Sequence, residues 1–329
     1  MTFEWYVDGK KVEGEQGSIL TYEATKTGNH QVKVIGKKGD KKGEASLTLQ
    51  VVESNQYYRP FVEGTSKRDV VKVFEFLPAP GQFVNEGYVA NTMEEACQYA
   101  QSRIESNAYV SLGGFGGYII VGFDHSIKNT GGYDFAIMGN SFKGSSEPGI
   151  VWVMQDENGD GLPNDTWYEL KGSETGKPET IQDYEITYYR PTQKKANTMW
   201  TDNRGNRGSV DWLGFHQQDF YYPLWVKNDT YMLRGTCLAS RTFDQSGQGT
   251  YWVNQEFDWG YADNFSPIDR LTDDDNYFAA PNANHFKISH AIDHKLQPVN
   301  LKYIDFVKVQ TGLNISAGWL GENSTEVFK

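Results

Sequence analysis

Hydrophobic and polar positions alternate with a period of two through most of this chain, the pattern of strands that bury one face. In the first fifty residues Trp5 and Val7 alternate before Asp8-Gly9, and Val32 and Val34 follow the turn residues Thr27-Gly28-Asn29. Leu47, Leu49 and Val51 alternate after a Lys/Gly-rich turn at 36–43, so roughly five strands are expected here. Past a polar stretch near 53–56, alternating or apolar runs recur at 118–123, 133–138, 150–154, 167–170, 184–189 and 303–309. A helical period stands out once. Met93, Ala96, Cys97, Ala100 and Ile104 share a face, and Thr92 with Glu95 forms a capping box ahead of them, predicting a helix over 93–106. The pattern describes an all-β protein with a small β module over 1–54 and a larger domain over 57–329. Short strands, long polar loops and one helix make the larger domain a jelly-roll-like β-sandwich. A β-propeller would need a blade repeat of roughly 40–50 residues, and none is visible.

Composition narrows the partners. Aromatic residues make up 14% of the 329 positions and glycine supplies 34, which favours strands and turns. The net charge of -12 argues against nucleic acid, whose phosphates need clustered Lys and Arg. No apolar run is long enough for a transmembrane helix. Cys97 and Cys237 lie far apart in sequence; one bridge between them is the alternative to the expected two buried free thiols. Met1 stands directly before a strand that reads as mid-domain, so a processed chain whose signal segment is gone is expected.

The stretch Asp156-Glu157-Asn158-Gly159-Asp160-Gly161-Leu162-Pro163-Asn164-Asp165 is where spacing alone implies chemistry. Oxygen-bearing side chains alternate at Asp156, Asn158 and Asp160, with Leu162 next in the series and Asp165 closing it. Hard cations take six to eight oxygens, and a D-x-N-x-D-G loop wraps them around one point. An EF-hand does not fit, because its twelfth position falls on Trp167 and no helical pattern flanks the loop. The loop is similar to those of dockerin and thrombospondin type 3 repeats, and a structural Ca²⁺ inside a β-hairpin is expected. Weak Ca²⁺ sites fill where calcium is millimolar, outside the cell.

Other chemistry is sparse. There is no G-x-S-x-G, H-E-x-x-H or Walker motif. His285, His290 and His294 cluster in sequence without a fuller metal-ligand spacing. Glu147, Glu169 and Asp211 lie near aromatic segments, but a glycosidase pair is spatial and no pairing follows from sequence. The glycines of 113–117 read as a flexible turn, and Asp273-Asp274-Asp275 as a solvated loop. Residues 198–262 interleave aromatics with polar residues, as suits a ligand with apolar faces. Trp212, Trp259 and Tyr261, beside Gly, Asn and Asp, are the ligand-binding candidates.

Two resemblances add to this. Trp5-Tyr6-Val7-Asp8-Gly9 and Gly28-Asn29-His30-Gln31-Val32-Lys33-Val34 resemble the PKD-like, immunoglobulin-fold modules of bacterial surface proteins, with His30 in place of the usual Tyr and no first strand. Such modules act as spacers or adhesion units. Residues 117–124, 132–140, 146–153 and 304–311 resemble cell-surface proteins, usually lipoproteins, of gut Bacteroidetes, some found with corrinoid (cobalamin) uptake systems. That resemblance implies an extracellular or outer-membrane location, and an outer-membrane uptake partner. The expectation is an exported protein that captures a nutrient, a corrinoid or a glycan, rather than an enzyme. A glycan-active hydrolase and an adhesion or scaffolding protein without a small ligand are the alternatives.

Overall fold

A computed structural model describes residues 2–22, 24, 26–51, 56–271 and 283–328. The first unit contributes β1 (Thr2–Val7), β2 (Lys10–Lys11), β3 (Gly28–Lys38) and β4 (Lys41–Val51). They form one antiparallel sheet in the order β2-β1-β3-β4. Among the described residues this is one strand fewer than the alternation suggests. Val7, Val32 and Ile35 are its buried residues, whereas Leu47 and Leu49 on β4 are half exposed. The loop after β2 touches the second unit: His294 Nδ1 lies 2.7 Å from Thr21 Oγ1, and Lys295 pairs with Glu15.

The larger unit begins with β5 (Lys72–Leu77), α1 (Met93–Glu105), β6 (Val110–Ser111), β7 (Tyr118–Lys128) and β8 (Phe135–Met138). Next come β9 (Gly149–Met154), β10 (Trp167–Leu170), β11 (Ile181–Tyr189), β12 (Thr198–Asp202), β13 (Arg207–Val210) and β14 (Thr230–Cys237). The short strands β15 (Thr242–Asp244), β16 (Trp252–Asn254), β17 (Ala283–Phe286) and β18 (Ala291–Ile292) follow. β19 (Tyr303–Thr311) and β20 (Glu326–Val327) close the chain. A six-stranded antiparallel sheet, β18-β10-β9-β19-β7-β5, faces a four-stranded one, β13-β12-β11-β14, and β15-β16, β17-β8 and β20-β6 make two-stranded pairs. The all-β sandwich expectation holds.

Period-two alternation decides what each face does. Between the sheets, Tyr184, Ile186, Tyr188 and Leu233 pack with Phe115 and, from the larger sheet, Leu77 and Tyr118. The Tyr188 hydroxyl donates to the Phe115 carbonyl at 2.9 Å, so this buried phenol is satisfied. On the other face of the larger sheet, Ile119, Val121, Val307 and Val309 meet Ala96, Ala100 and Ile104 of α1.

The start of α1 follows its capping signal, with Thr92 Oγ1 accepting the Glu95 amide at 3.2 Å. Glu95 reaches back to the Asn91 amide at 2.7 Å, one residue before the cap itself. The 113–117 glycines are not a loose turn, because a Cβ on Gly113 would stand 2.1 Å from the Ala79 carbonyl oxygen. They are the close crossing that lets the chain pass under residues 79–80 into β7. Cys97 and Cys237 are both free thiols.

Candidate functional site

The 156–165 loop joins β9 to β10 as a hairpin connection. Its side chains grip its own backbone through successive Asx-type bonds. Asp156 accepts the amides of Gly159 at 2.7 Å and Gly161 at 3.0 Å. Asn158 Oδ1 accepts from Asp160 N–H and Asp160 Oδ1 from Leu162 N–H, both at 2.8 Å. Asp165 takes the Glu157 amide at 2.8 Å. Asp156 is buried, and its amide donates to Asp305 Oδ2 at 2.8 Å, anchoring the loop to β19. Gly159 has φ of 75° and lies against Tyr57, so neither its conformation nor its space admits a side chain.

Charge in this loop is crowded. Burial raises the Asp165 carboxyl, with Asp156 and Asp160 adding repulsion, and burial beside Asp165 pushes Glu157 up to about 6. The available donors are all oxygen, which suits a hard cation and no soft one. The three aspartates nevertheless stop short of meeting at one point. Among the described residues, the His/Cys/Asp/Glu trio whose ligand atoms come within 4.8 Å of one another is Glu147, Asp263 and Glu326.

The aromatic candidates do not converge. Tyr261 is 2% exposed, stacks edge-on against Phe257 at 5.5 Å, and its hydroxyl accepts the Glu174 amide at 3.0 Å. It is a core residue without access from solvent, which corrects its assignment to a ligand surface. Trp212 lies beside the inter-sheet core, with its indole N–H on the Gln218 carbonyl at 3.0 Å and Lys195 Nζ 5.4 Å from its ring centre. Trp259 lines a cavity of about 180 Å³ with Tyr133, Asp269, His285 and His290.

His285 and His290 share that cavity, whereas His294 does not line it. The His285 ring contacts the Asp269 carbonyl, His290 packs on Trp259 at 5.1 Å, and His294 turns to Thr21. Burial, with Lys171 and Lys287 nearby, pulls His290 down to about 4. Of the carboxylates, Glu169 is buried with the Thr236 hydroxyl, while Asp211 sits on the surface with Asn197 and Ser209. The acidic run at 273–275 lies outside the described residues.

A larger cavity of about 420 Å³ opens on the α1 side of the six-stranded sheet. Strand β7 supplies Ile119, Val121 and Phe123 from one face, and past the register shift in its pairing with β19 it adds His125, Ser126, Ile127 and Lys128. Val307 and Val309 of β19, Ile104 of α1, Phe135 and Ile137 of β8, and Val327 of β20 complete an apolar floor. The rim is polar and exposed, formed by Tyr58, Arg68, Asp69, Lys128, Thr130 and Tyr133. An apolar interior below a rim of convergent polar groups is the usual form of a small-molecule site, and 420 Å³ lies within the common range of about 300–1,000 Å³. The sequence does carry a trace of it: the inward positions of β7 run from Ile119 and Val121 to His125, apolar at one end and titratable at the other. Compared with known proteins, the chain matches no family model and no curated protein at a significant level.

Proposed function

We propose that the larger unit is a binding domain that admits a compact, mainly apolar molecule into the cavity walled by β7, β19, β8 and α1. One observation carries this reading: a cavity of about 420 Å³ with an exposed polar rim opens beside β7, with the buried core side chains Ile119 and Val121 at its base. The charged rim selects a ligand with a polar or ionised end, and Arg68 and Lys128 suit a carboxylate or phosphate there. A whole corrinoid or an oligosaccharide is larger than this space. From those nutrient classes only a single ring or an appended arm would enter. The resemblance to Bacteroidetes surface proteins supports a role in nutrient capture outside the cell. The first unit would then be a spacer, and a Ca²⁺ in the 156–165 loop would hold the β9–β10 connection.

The test is binding of 1-N-phenylnaphthylamine and of medium-chain carboxylates to the full chain, followed by fluorescence and native mass spectrometry. Ile127 lines the cavity and is only partly buried, so Ile127→Trp narrows it from the wall. The parent should bind with micromolar affinity and Ile127→Trp should lose at least tenfold while melting normally. Equal binding by both proteins, or none by the parent, would overturn the reading.

A further inference from the structure

Glu147, Asp263 and Glu326 come from three distant parts of the chain and meet beneath the surface. Glu147 precedes β9, Asp263 follows the bridge between Gly149 and Ala262, and Glu326 opens β20. Backbone bonds fix the meeting point, with the Glu147 amide donating to the Asp263 carbonyl at 2.9 Å and the Glu326 amide to Asp263 Oδ2 at 2.9 Å. The amides of Asn140 and Ser141 both donate to Asp263 Oδ1 at 2.8 Å. Gly139 lets that loop approach, since a Cβ there would stand 2.3 Å from the Asp263 oxygen.

Asp263 therefore has N–H partners on both oxygens. Glu326 does not. At 2% exposure, neither of its carboxylate oxygens has a hydrogen bond of good geometry, the Ser324 hydroxyl and Glu147 being its loose neighbours, and one oxygen lies within 4.8 Å of Glu147 and Asp263. The hydroxyl of Ser141, fully buried and tied by its amide to Asp263, also lacks a partner. A buried carboxylate without a well-placed donor, facing two more carboxylates, is costly for a protein interior to hold. It persists where a cation or a shared proton fills the gap. The Arg270 guanidinium interacts electrostatically with Asp263. Burial raises all three carboxyls, Glu147 further through Asp263 and Glu326 further through Glu147.

We infer that Glu147, Asp263 and Glu326 bind a hard divalent cation, a site separate from the 156–165 loop. Three carboxylates are an all-oxygen donor set of the Ca²⁺, Mn²⁺ or Mg²⁺ class. The ion would tie β20 and the 139–147 segment to Asp263.

The experiment uses the full chain, stripped with EDTA and dialysed, then titrated separately with Ca²⁺, Mn²⁺ and Mg²⁺ by calorimetry. Bound metal is counted by mass spectrometry, and Mn²⁺ is also read by its paramagnetic resonance signal. Asp160→Ala removes the loop's central acid, and Glu326→Gln keeps the cluster's shape while removing one charge. Asp160→Ala should still bind one equivalent of at least one of the three ions. Glu326→Gln should weaken that equivalent by a hundredfold or more, and Glu147→Gln should do the same if the first variant misfolds. An Asp160→Ala protein that binds none of the ions would overturn the inference. So would a Glu326→Gln protein with the parent's metal content and an equal or higher melting temperature, the signature of a shared proton.

Discussion

Glu169 stands in β10 inside the six-stranded sheet, 7% exposed, with the Thr236 hydroxyl donating to one oxygen. Burial, set against that hydrogen bond, pushes its carboxyl from an ordinary 4.5 up to about 7. Between those values the folded protein holds a proton that the unfolded chain has released. A carboxyl raised on folding contributes its full stability below about 4.5 and loses it as pH climbs through about 7. At about 1.4 kcal/mol per pH unit, the gap amounts to about 3 kcal/mol of stability lost by pH 8.5. Glu169→Gln keeps an oxygen for Thr236 and cannot ionise. It adds an amide N–H pair that must find partners, at a cost of about 1 kcal/mol. Urea unfolding of parent and variant at pH 5 and pH 8.5, followed by tryptophan fluorescence, measures the difference. The variant should be equal or slightly weaker at pH 5 and stronger by about 2 kcal/mol at pH 8.5. Glu322, raised to about 7 by burial, acts on both proteins alike and cancels in the comparison. A parent–variant difference that stays constant across this range would refute the reasoning.

Two further outcomes bear on the assignments. Ca²⁺ at about a hundred times the loop's Kd should stabilise the parent by about 2.7 kcal/mol more than it stabilises Asp160→Ala, and EGTA should remove that difference in thermal scans. Unchanged melting with Ca²⁺ and EGTA would remove the metal from the hairpin. Tyr261→Ala should cost about 3–5 kcal/mol because it empties a core position, and half-buried Trp259→Ala less. A Tyr261→Ala protein that melts normally but binds ligand poorly would return that ring to a binding surface.

The elements of the fold were legible wherever periodicity and local chemistry agreed. Thr92 with Glu95 marked the start of α1 to the residue, and alternation located β7, β9, β10 and β19. The cavity was not legible, because an apolar residue facing a void leaves the same period-two pattern as one facing a neighbour. Ile119 and Val121 read equally well as packed core. The carboxylate trio escaped for another reason: Glu147, Asp263 and Glu326 lie in unrelated segments, and only strand pairing and the Gly149–Ala262 bridge bring them together. The aromatic segment misled through composition. Tyr261 sits among loop-forming residues in sequence, yet its hydroxyl serves the Glu174 amide inside the core.

β20 is only two residues long, and successive strand residues point to opposite faces. Glu326 turns toward the carboxylate cluster while Val327 forms part of the apolar cavity wall. The next amide, Phe328, donates to the Met138 carbonyl beside that same wall. A charge placed on one side of this peptide and a molecule placed on the other therefore press on one short rigid lever. Binding free energies are reciprocal, so any ion that firms the wall for a ligand is itself held more tightly once the ligand arrives. A change in divalent-cation concentration would then change more than stability: it would set when the cavity is ready to fill.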